Sequence, residues 1–390
     1  MFLEILLAIL LGVLAGCFTG LVPGVHVNLV ATFVIAAGVS GNALPFIVSL
    51  AITHSIINVI PGILLGAPES STALGVLPGH RYLLNGHGLM AIKLTVVGSY
   101  FGLLIALALI PVWWNILKLY QYFTPFIGYA IILVSAYLIL RDNKRVWAFS
   151  VYMLSGVLGY LLLNKALVQE PLFPLLSGLF GTATLLYSMN ENQTIPPQQD
   201  STEIQLKKGP TLQALLAGNV AGFFTSMLPG LGNAQAAILA MTFTRKIGDH
   251  GFLILIGAID TINFSLSLLT WLALDRARNG AIVAITTLAE PEIALVRTLL
   301  FTAVITASIA VPLCLLLSRK ALRILSILPY RNTCIAVLAL ITILVLFLTG
   351  WRGLIVLITA TGIGLIPAIK KCGRAHAMGC LLLPVALYFL

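Results

Sequence analysis

Long apolar segments separated by short polar turns dominate the pattern of this chain. They fall at about residues 3–22, 25–40, 45–65, 89–113, 125–140, 146–163 and 172–187 in a first group. A second group follows at about residues 211–228, 231–243, 252–274, 281–317, 332–349, 353–369 and 374–390. Helices that cross a bilayer need about 20 apolar residues, whereas the strands of a membrane barrel alternate over about ten. The pattern therefore predicts an all-α polytopic membrane protein with about 10–14 membrane segments.

The composition supports that class, since 59% of the 390 residues are hydrophobic and only 9% are charged. Soluble domains carry about 25% charged residues, so most of this chain faces lipid or its own interior. A formal net charge of +10 would suit nucleic acid, but the basic residues are scattered through short loops between apolar segments. That distribution is typical of cytoplasmic loops beside lipid headgroups. We therefore expect a multi-pass protein of the cell membrane that contacts lipid and no nucleic acid.

One motif occurs twice, each time at the end of an apolar segment. It reads Gly12-x3-Gly16-x-Phe18-Thr19-x3-Pro23-Gly24 and, 206 residues later, Gly218-x3-Gly222-x-Phe224-Thr225-x3-Pro229-Gly230. Proline removes a backbone donor and glycine tolerates turn conformations, so each Pro-Gly pair predicts a broken helix. Several adjoining segments are shorter than the ~20 residues of a full span. Re-entrant hairpins and full spans therefore both remain open.

The repeat predicts two homologous halves, residues 1–187 and 211–390, joined by a polar linker at residues 188–210. Weaker matches extend it, among them Ile57-Asn58 with Ile262-Asn263 at an offset of 205. Each half carries an odd number of segments, which places the second half in the membrane in the opposite orientation. The strongly basic loops then share one side, as the positive-inside tendency requires, with Arg276 and Arg278 as exceptions. The sequence thus predicts two inverted-topology repeats.

Two helix breaks in matching positions of two inverted halves indicate where a transporter binds its substrate. Broken helices expose backbone N–H and C=O groups, which bind anions and cations respectively. Polar residues follow both breaks, and a serine pair lies in a further polar loop that contains proline. The predicted substrate site consists of Pro23, Gly24, His26, Asn28, Ser70, Ser71, Pro229, Gly230, Gly232 and Asn233.

Asp260 is a charged residue well inside the apolar segment 252–274. A charge there costs about 2.5–3.5 kcal/mol on insertion scales, which makes the aspartate a candidate for function. Asn263 shares its helix face at a spacing of three, and Asn58 lies in the related segment of the first half. We predict that Asp260, Asn263 and Asn58 bind the coupling cation, either sodium or a proton, with no other cofactor and no metal. The alternative is a structural aspartate bonded to a neighbouring helix.

Several short glycine-rich stretches point to a known family. They are Leu228-Pro229-Gly230-Leu231-Gly232, Gly66-Ala67-Pro68-Glu69-Ser70-Ser71, Pro78-Gly79-His80-Arg81-Tyr82 and Leu175-Leu176-Ser177-Gly178-Leu179-Phe180-Gly181. These stretches resemble the large membrane subunit of tripartite tricarboxylate transporters, the TctA family. The resemblance implies a permease for a small organic anion that works with a small membrane subunit and an extracytoplasmic binding protein. The chain departs from the family around Asp260, where members carry Pro-Glu followed by paired asparagines, so it resembles a divergent short member.

Two other classes of protein remain open beside an ion-coupled permease. One is a channel-like pore, and the other is an intramembrane metal-dependent enzyme that uses His26, His54 and Asp260 as ligands. Signatures such as His-Glu-x-x-His, Gly-x-Ser-x-Gly and the Walker loop do not occur in the sequence. The prediction is therefore a protein that is not an enzyme.

Overall fold

The computed structural model describes the chain as an assembly of helices. It covers residues 2–22, 27–36, 42–65, 76–165, 168, 171–190, 196–199, 206–228, 231–244, 247–277, 279–327 and 330–390. The first half contains α1 (Phe2–Leu21), α2 (Val27–Ala36), α3 (Ala43–Ile57), α4 (Val59–Leu65), α5 (Val76–Leu84), α6 (Gly88–Ala108), α7 (Ile110–Leu117), α8 (Tyr120–Phe123), α9 (Ile127–Arg141), α10 (Arg145–Asn164), α11 (Leu172–Leu176) and α12 (Ala183–Asn190). The second half contains α13 (Lys208–Met227), α14 (Asn233–Phe243), α15 (Gly248–Leu274), α16 (Gly280–Thr286), α17 (Ile293–Ile327), α18 (Tyr330–Lys370) and α19 (Gly379–Tyr388). No strand occurs within these ranges.

Among the described residues, seven helices are long and apolar enough to cross a membrane, judged by length and composition. They are Leu3–Leu21, Ala43–Leu65, Gly88–Ala108, Arg145–Asn164, Gly248–Leu274, Ile293–Leu325 and Arg331–Lys370. The last of these contains Gly350 in a left-handed conformation (φ 69°), which interrupts α18 between two of the predicted segments. The prediction of an all-α polytopic membrane protein is confirmed.

Each half has a pair of packed helices, one of which carries the Gly-x3-Gly motif, and each pair also contacts a helix of the other half. Within the halves, α1 packs on α3 and α13 packs on α15. Across the halves, α17 packs on α3, where Ser49 Oγ and Thr306 Oγ1 lie 2.8 Å apart, and α6 packs on α15. This reciprocal packing is what a repeated architecture produces. The opposite orientation of the two halves stays a prediction.

The backbones of α6 and α15 touch where they cross. A methyl group at Gly98 would lie 1.9 Å from Ile254 O, and one at Gly257 would lie 2.0 Å from Thr95 O. Ser99 Oγ donates to Gly257 O at 3.1 Å across the same contact. Small residues allow such close approach between helices in membranes. The crossing fixes α15 one turn before Asp260, and so positions that carboxylate.

A partly buried aspartate joins the turn before α10 to the segment that leads into α19. Asp142 Oδ2 accepts from Gly373 N at 2.8 Å and from His376 Nε2 at 2.9 Å, while Oδ1 accepts from Lys144 N at 2.7 Å. The Asp142 and His376 side chains are only 12% and 6% exposed. Since the two residues belong to different halves of the chain, this contact holds the halves together outside the long helices.

We expect Asp142→Asn to destabilise the protein at about pH 7 by roughly 2 kcal/mol, because hydrogen bonds to a charged acceptor are lost. Burial alone would raise the pKa of Asp142, but the hydrogen bonds from Lys144, Gly373 and His376 outweigh it and lower the pKa below its usual value. Such a group stabilises the fold above its unfolded pKa, which is about 3.9 for aspartate. The wild-type advantage is therefore complete at neutral pH and disappears as the pH falls through the lowered folded pKa.

Melting curves of the detergent-solubilised protein between about pH 7 and pH 3 measure that effect. Asp249→Asn is the matched control, because the bond of Asp249 Oδ2 to Arg81 Nη1 is solvent-exposed and such surface pairs contribute little. An Asp142→Asn deficit that stays constant across the pH range would contradict the electrostatic account.

Candidate functional site

A carboxylate and three carboxamides from both halves meet at one point among the helices. Asp260, in the middle of α15, accepts from Asn233 Nδ2 at 2.7 Å on Oδ1 and from Asn58 Nδ2 at 3.3 Å on Oδ2. Asn263 Nδ2 donates to Asn233 Oδ1 at 2.9 Å. We call these four residues the Asp260 cluster. It ties α15 to the ends of two other helices.

Two residues of the cluster lie at helix ends. Asn58 separates α3 from α4, and Pro61 follows three residues later. Because proline has no N–H, the carbonyl of Ile57 loses its helical donor, and the helix is interrupted there. Asn233 begins α14 after Gly232, whose backbone is extended (φ −85°, ψ 170°). Helix ends carry backbone groups without helical partners, so both amides adjoin polar backbone suited to binding ions.

The cluster has the chemistry of a cation or proton site. A carboxylate offers about four lone-pair positions, and the two oxygens of Asp260 each accept one amide N–H, from Asn233 and from Asn58. Carboxylate and amide oxygens are hard ligands, and a carboxylate also accepts a proton. The flanking residues Ile259 and Thr261 are buried, whereas Asp260 itself is half-buried. Within the described ranges, no group of three His, Cys, Asp or Glu side chains is placed to hold a metal ion.

The threonine of the doubled motif makes the same local hydrogen bond in both halves. Thr19 Oγ1 donates to Gly16 O at 3.3 Å, and Thr225 Oγ1 donates to Gly222 O at 2.7 Å. In the first half, His54 Nδ1 also lies 3.0 Å from Thr19 Oγ1, with donor and acceptor set by the histidine tautomer. Sequence reasoning missed this contact, although His54 precedes Asn58 by one helical turn.

The motif glycines show which residues of α3 and α15 occupy equivalent positions. The offset in residue number between these positions differs from the offset between the two copies of the motif. A methyl group at Gly16 would meet Thr53 Cβ at 2.6 Å and Leu50 O at 2.7 Å, and one at Gly222 would meet Ile262 Cβ at 2.8 Å and Ile259 O at 3.3 Å. The contacted residues are 209 positions apart (262 − 53 and 259 − 50), whereas the glycines are 206 apart. Asn263 therefore corresponds to His54. The predicted equivalence of Ile57-Asn58 with Ile262-Asn263 is wrong, because the second half has three more residues between glycine and contact.

The structure brings some of the predicted site residues together and separates another from them. Asp260, Asn263 and Asn58 come together, and Asn233, predicted for the substrate, joins them, with Gly232 directly before it. Asn28 has other surroundings on α2, because a methyl group at Gly280 would lie 2.3 Å from its Cγ. The other predicted substrate residues lie outside the described residues; they are Pro23, Gly24, His26, Ser70, Ser71, Pro229 and Gly230.

A polytopic helical protein with interrupted helices and a carboxylate between its halves has the features of a membrane transporter. The sequence pattern of the Tripartite tricarboxylate transporter TctA family matches residues 6–379, and the chain belongs to that family. The resemblance seen in the glycine-rich stretches is confirmed. The family is one of transporters and not of enzymes, and membership implies the role of a permease.

The chain is also similar to an uncharacterised protein of Methanocaldococcus jannaschii. The two are 30% identical over 387 residues, which cover 95% of each chain. No solved structure matches.

Proposed function

We propose that this protein is a secondary-active permease of the cell membrane that moves a small organic anion, either a tricarboxylate or another carboxylate. A gradient of sodium or protons drives transport. Asp260, Asn263 and Asn58 bind the coupling cation, and the two Pro-Gly breaks flank the substrate. The observation that carries this proposal is the hydrogen bond between Asp260 and Asn233, because it links the charged residue of α15 to the residue that begins α14.

Electrostatics gives the cluster a way to couple the two ligands. An ionised Asp260 repels a substrate carboxylate at a neighbouring position, and this repulsion is strong where water is scarce. A sodium ion or a proton on Asp260 removes the repulsion, so the cation favours binding of the anion. Such coupling is reciprocal, and the anion favours binding of the cation to the same degree.

The helix ends supply the anion-binding groups of the proposed site. α14 begins at Asn233 and has 11 residues, so its first turn presents backbone N–H groups and the positive end of a helix dipole. The reciprocal packing of α6 on α15 and of α17 on α3 supports two repeats that are inverted about a shared site. In this arrangement the halves at residues 1–187 and 211–390 form one membrane domain.

Accessory subunits belong to the proposal as well. The TctA family normally works with TctB and TctC components. We therefore infer that a small membrane subunit and an extracytoplasmic binding protein deliver the anion to this chain.

A thermal-stability screen tests the proposal without those subunits. The purified protein is melted with monocarboxylates, dicarboxylates or tricarboxylates, each with sodium or with potassium, at about pH 5.5 and about pH 7.5. We expect one class of carboxylate to raise the melting temperature, and to raise it more when sodium or protons are supplied. A ligand present at a free concentration of 100 times its dissociation constant stabilises the folded protein by about 2.7 kcal/mol, and such a screen detects a change of this size. The proposal fails if no carboxylate stabilises the protein under any of these conditions.

Uptake into proteoliposomes separates the permease from a channel-like pore. The anion identified by the screen is offered with and without an inward gradient of the cation that enhanced its binding. Saturable accumulation above the outside concentration, seen only with the gradient, is expected. Simple equilibration that ignores the gradient would favour the pore.

A further inference from the structure

A long apolar groove lies between α9, α13 and α14 and has a volume of about 740 Å³. Its floor along α13 consists of side chains four residues apart: Leu212, Leu216, Val220, Phe224 and Leu228. Successive members of this row are neighbours on the helix surface, and the row winds gradually around α13 over a length of roughly 24 Å at 1.5 Å per residue. The floor is open, since Leu212, Leu216 and Val220 remain 54%, 45% and 47% exposed.

One end of the groove is polar and the remainder is apolar. Gln213 and Thr244 are the polar residues of the lining, and Gly209 marks the end of the groove in the first turn of α13. Lys207 and Lys208 stand directly beside Gly209, and both are exposed. A chain that lies along the floor would therefore end at two positive charges.

The start of α15 lies at the same end. α13 and α15 run in the same direction, because Gly218 contacts Leu255 and Gly222 contacts Ile259. α15 therefore begins level with the first turn of α13. The acidic residue in the first turn of α15 is Asp249, which forms an ion pair with Arg81 at 3.2 Å. Because Arg81 balances its charge, Asp249 does not neutralise the positive charge of Lys207 and Lys208.

We propose that this groove binds one anionic phospholipid. An acyl chain lies on the floor of the groove along α13, and the phosphate lies at Lys207 and Lys208, beside Gln213. Basic residues at the membrane surface attract anionic headgroups, and basic pockets between membrane helices bind them specifically. The charge at one end selects a lipid over an apolar helix of another protein, which would leave both lysines and Gln213 without a complementary group.

The far end of the groove connects the lipid to the second helix break. Leu228 and Leu231 line the groove and flank Pro229-Gly230 in the sequence. A lipid chain in the groove therefore contacts the helix on each side of this break. Binding of the lipid would stabilise the α13 and α14 pair, and its loss would loosen that pair.

Native mass spectrometry of the full-length protein tests the proposal. The delipidated protein is titrated with phosphatidylglycerol or phosphatidylcholine that carry the same acyl chains. We expect one molecule of phosphatidylglycerol to bind in preference to phosphatidylcholine. Lys207→Gln and Lys208→Gln should each weaken that preference about fivefold, since one basic residue near the surface contributes about 1 kcal/mol. The matched control is Lys144→Gln with Arg145→Gln, an adjacent exposed basic pair outside the groove, which should change nothing.

A second variant tests the apolar part of the groove. Val220→Trp adds bulk where the side chain is 47% exposed, so the fold should tolerate it, but it fills the groove and should abolish binding of both lipids. Ile355→Trp makes a similar change at an exposed position of α18 outside the groove and should leave binding intact. An unchanged lipid preference in the lysine variants, or retained lipid in Val220→Trp, would overturn the proposal. A protein dimer that holds no lipid and dissociates on Val220→Trp would overturn it in favour of an interface between copies.

Discussion

Asp260→Asn should abolish gradient-driven accumulation of the anion while leaving the fold and some binding of the anion intact. The variant keeps one acceptor oxygen, for the amide of Asn233 or that of Asn58, but it has no charge to bind sodium or a proton. The repulsion that makes anion binding depend on the cation also disappears. We therefore expect anion binding that no longer responds to sodium or pH, and uptake that falls at least about 100-fold, equivalent to about 2.7 kcal/mol of lost coupling. Uptake into proteoliposomes and ligand-dependent melting measure the two effects.

The same substitution elsewhere on the helix provides the control. Asp249→Asn removes an exposed carboxylate from the first turn of α15, where its bond to Arg81 is a surface pair. It should leave uptake and ion dependence unchanged. If Asp260→Asn retained full ion-coupled uptake and only lowered the melting temperature, Asp260 would be a structural tie between helices. The coupling role would then be wrong.

Gly257→Val should cause a large loss of folded protein. A Cβ at this position would lie 2.0 Å from Thr95 O, a backbone atom that cannot rotate away. α6 and α15 would have to separate, and overpacking of this kind costs about 1–3 kcal/mol or more. Fluorescence-detected gel filtration and melting curves in detergent should show a lower yield of monodisperse protein and a lower melting temperature.

Gly362→Val is the matched control for that substitution. Gly362 also lies inside an apolar helix, but a Cβ there meets no atom within 4 Å. The change should therefore be tolerated. Gly257→Ala introduces only the clashing Cβ and should already be destabilising. Normal stability of the alanine variant would show that the two helices are not held in contact at this point.

The sequence was sufficient for the fold class and for three members of the Asp260 cluster. Apolar length predicted the helices, and a charge inside an apolar segment singled out Asp260, with Asn263 on the same face. Hydropathy does not say which helix covers which, because all membrane helices are apolar. The packing of α17 on α3 and of α6 on α15 therefore emerged only from the structure. The contact of Asn233 with Asp260 depends on that packing, which is why the sequence placed Asn233 with the substrate residues.

The composition of a polar segment also does not indicate which distant residues that segment contacts. Residues 188–210 are predicted to be a linker, and within them Gln198 accepts from Gly88 N at 3.0 Å and donates to Leu83 O at 2.9 Å, at the turn between α5 and α6. Similarly, no feature of the sequence indicated that His376 is buried against Asp142. Both contacts join segments more than 100 residues apart, and local patterns contain no information about such pairing.

The contact between Ser49 and Thr306 cannot form until the second half of the chain has been synthesised. The two residues are 257 positions apart, and the helix that covers α3 is made long after α3 has entered the membrane. At about 5–20 residues per second, ribosomes need roughly 13–50 s to synthesise the intervening chain. During that interval the face of α3 that α17 later covers has no helix of the second half against it. A ribosome that stalls before α17 therefore leaves a nascent first half in which Ser49 has lost its partner on α17, and quality-control proteases can recognise such an uncovered polar side chain.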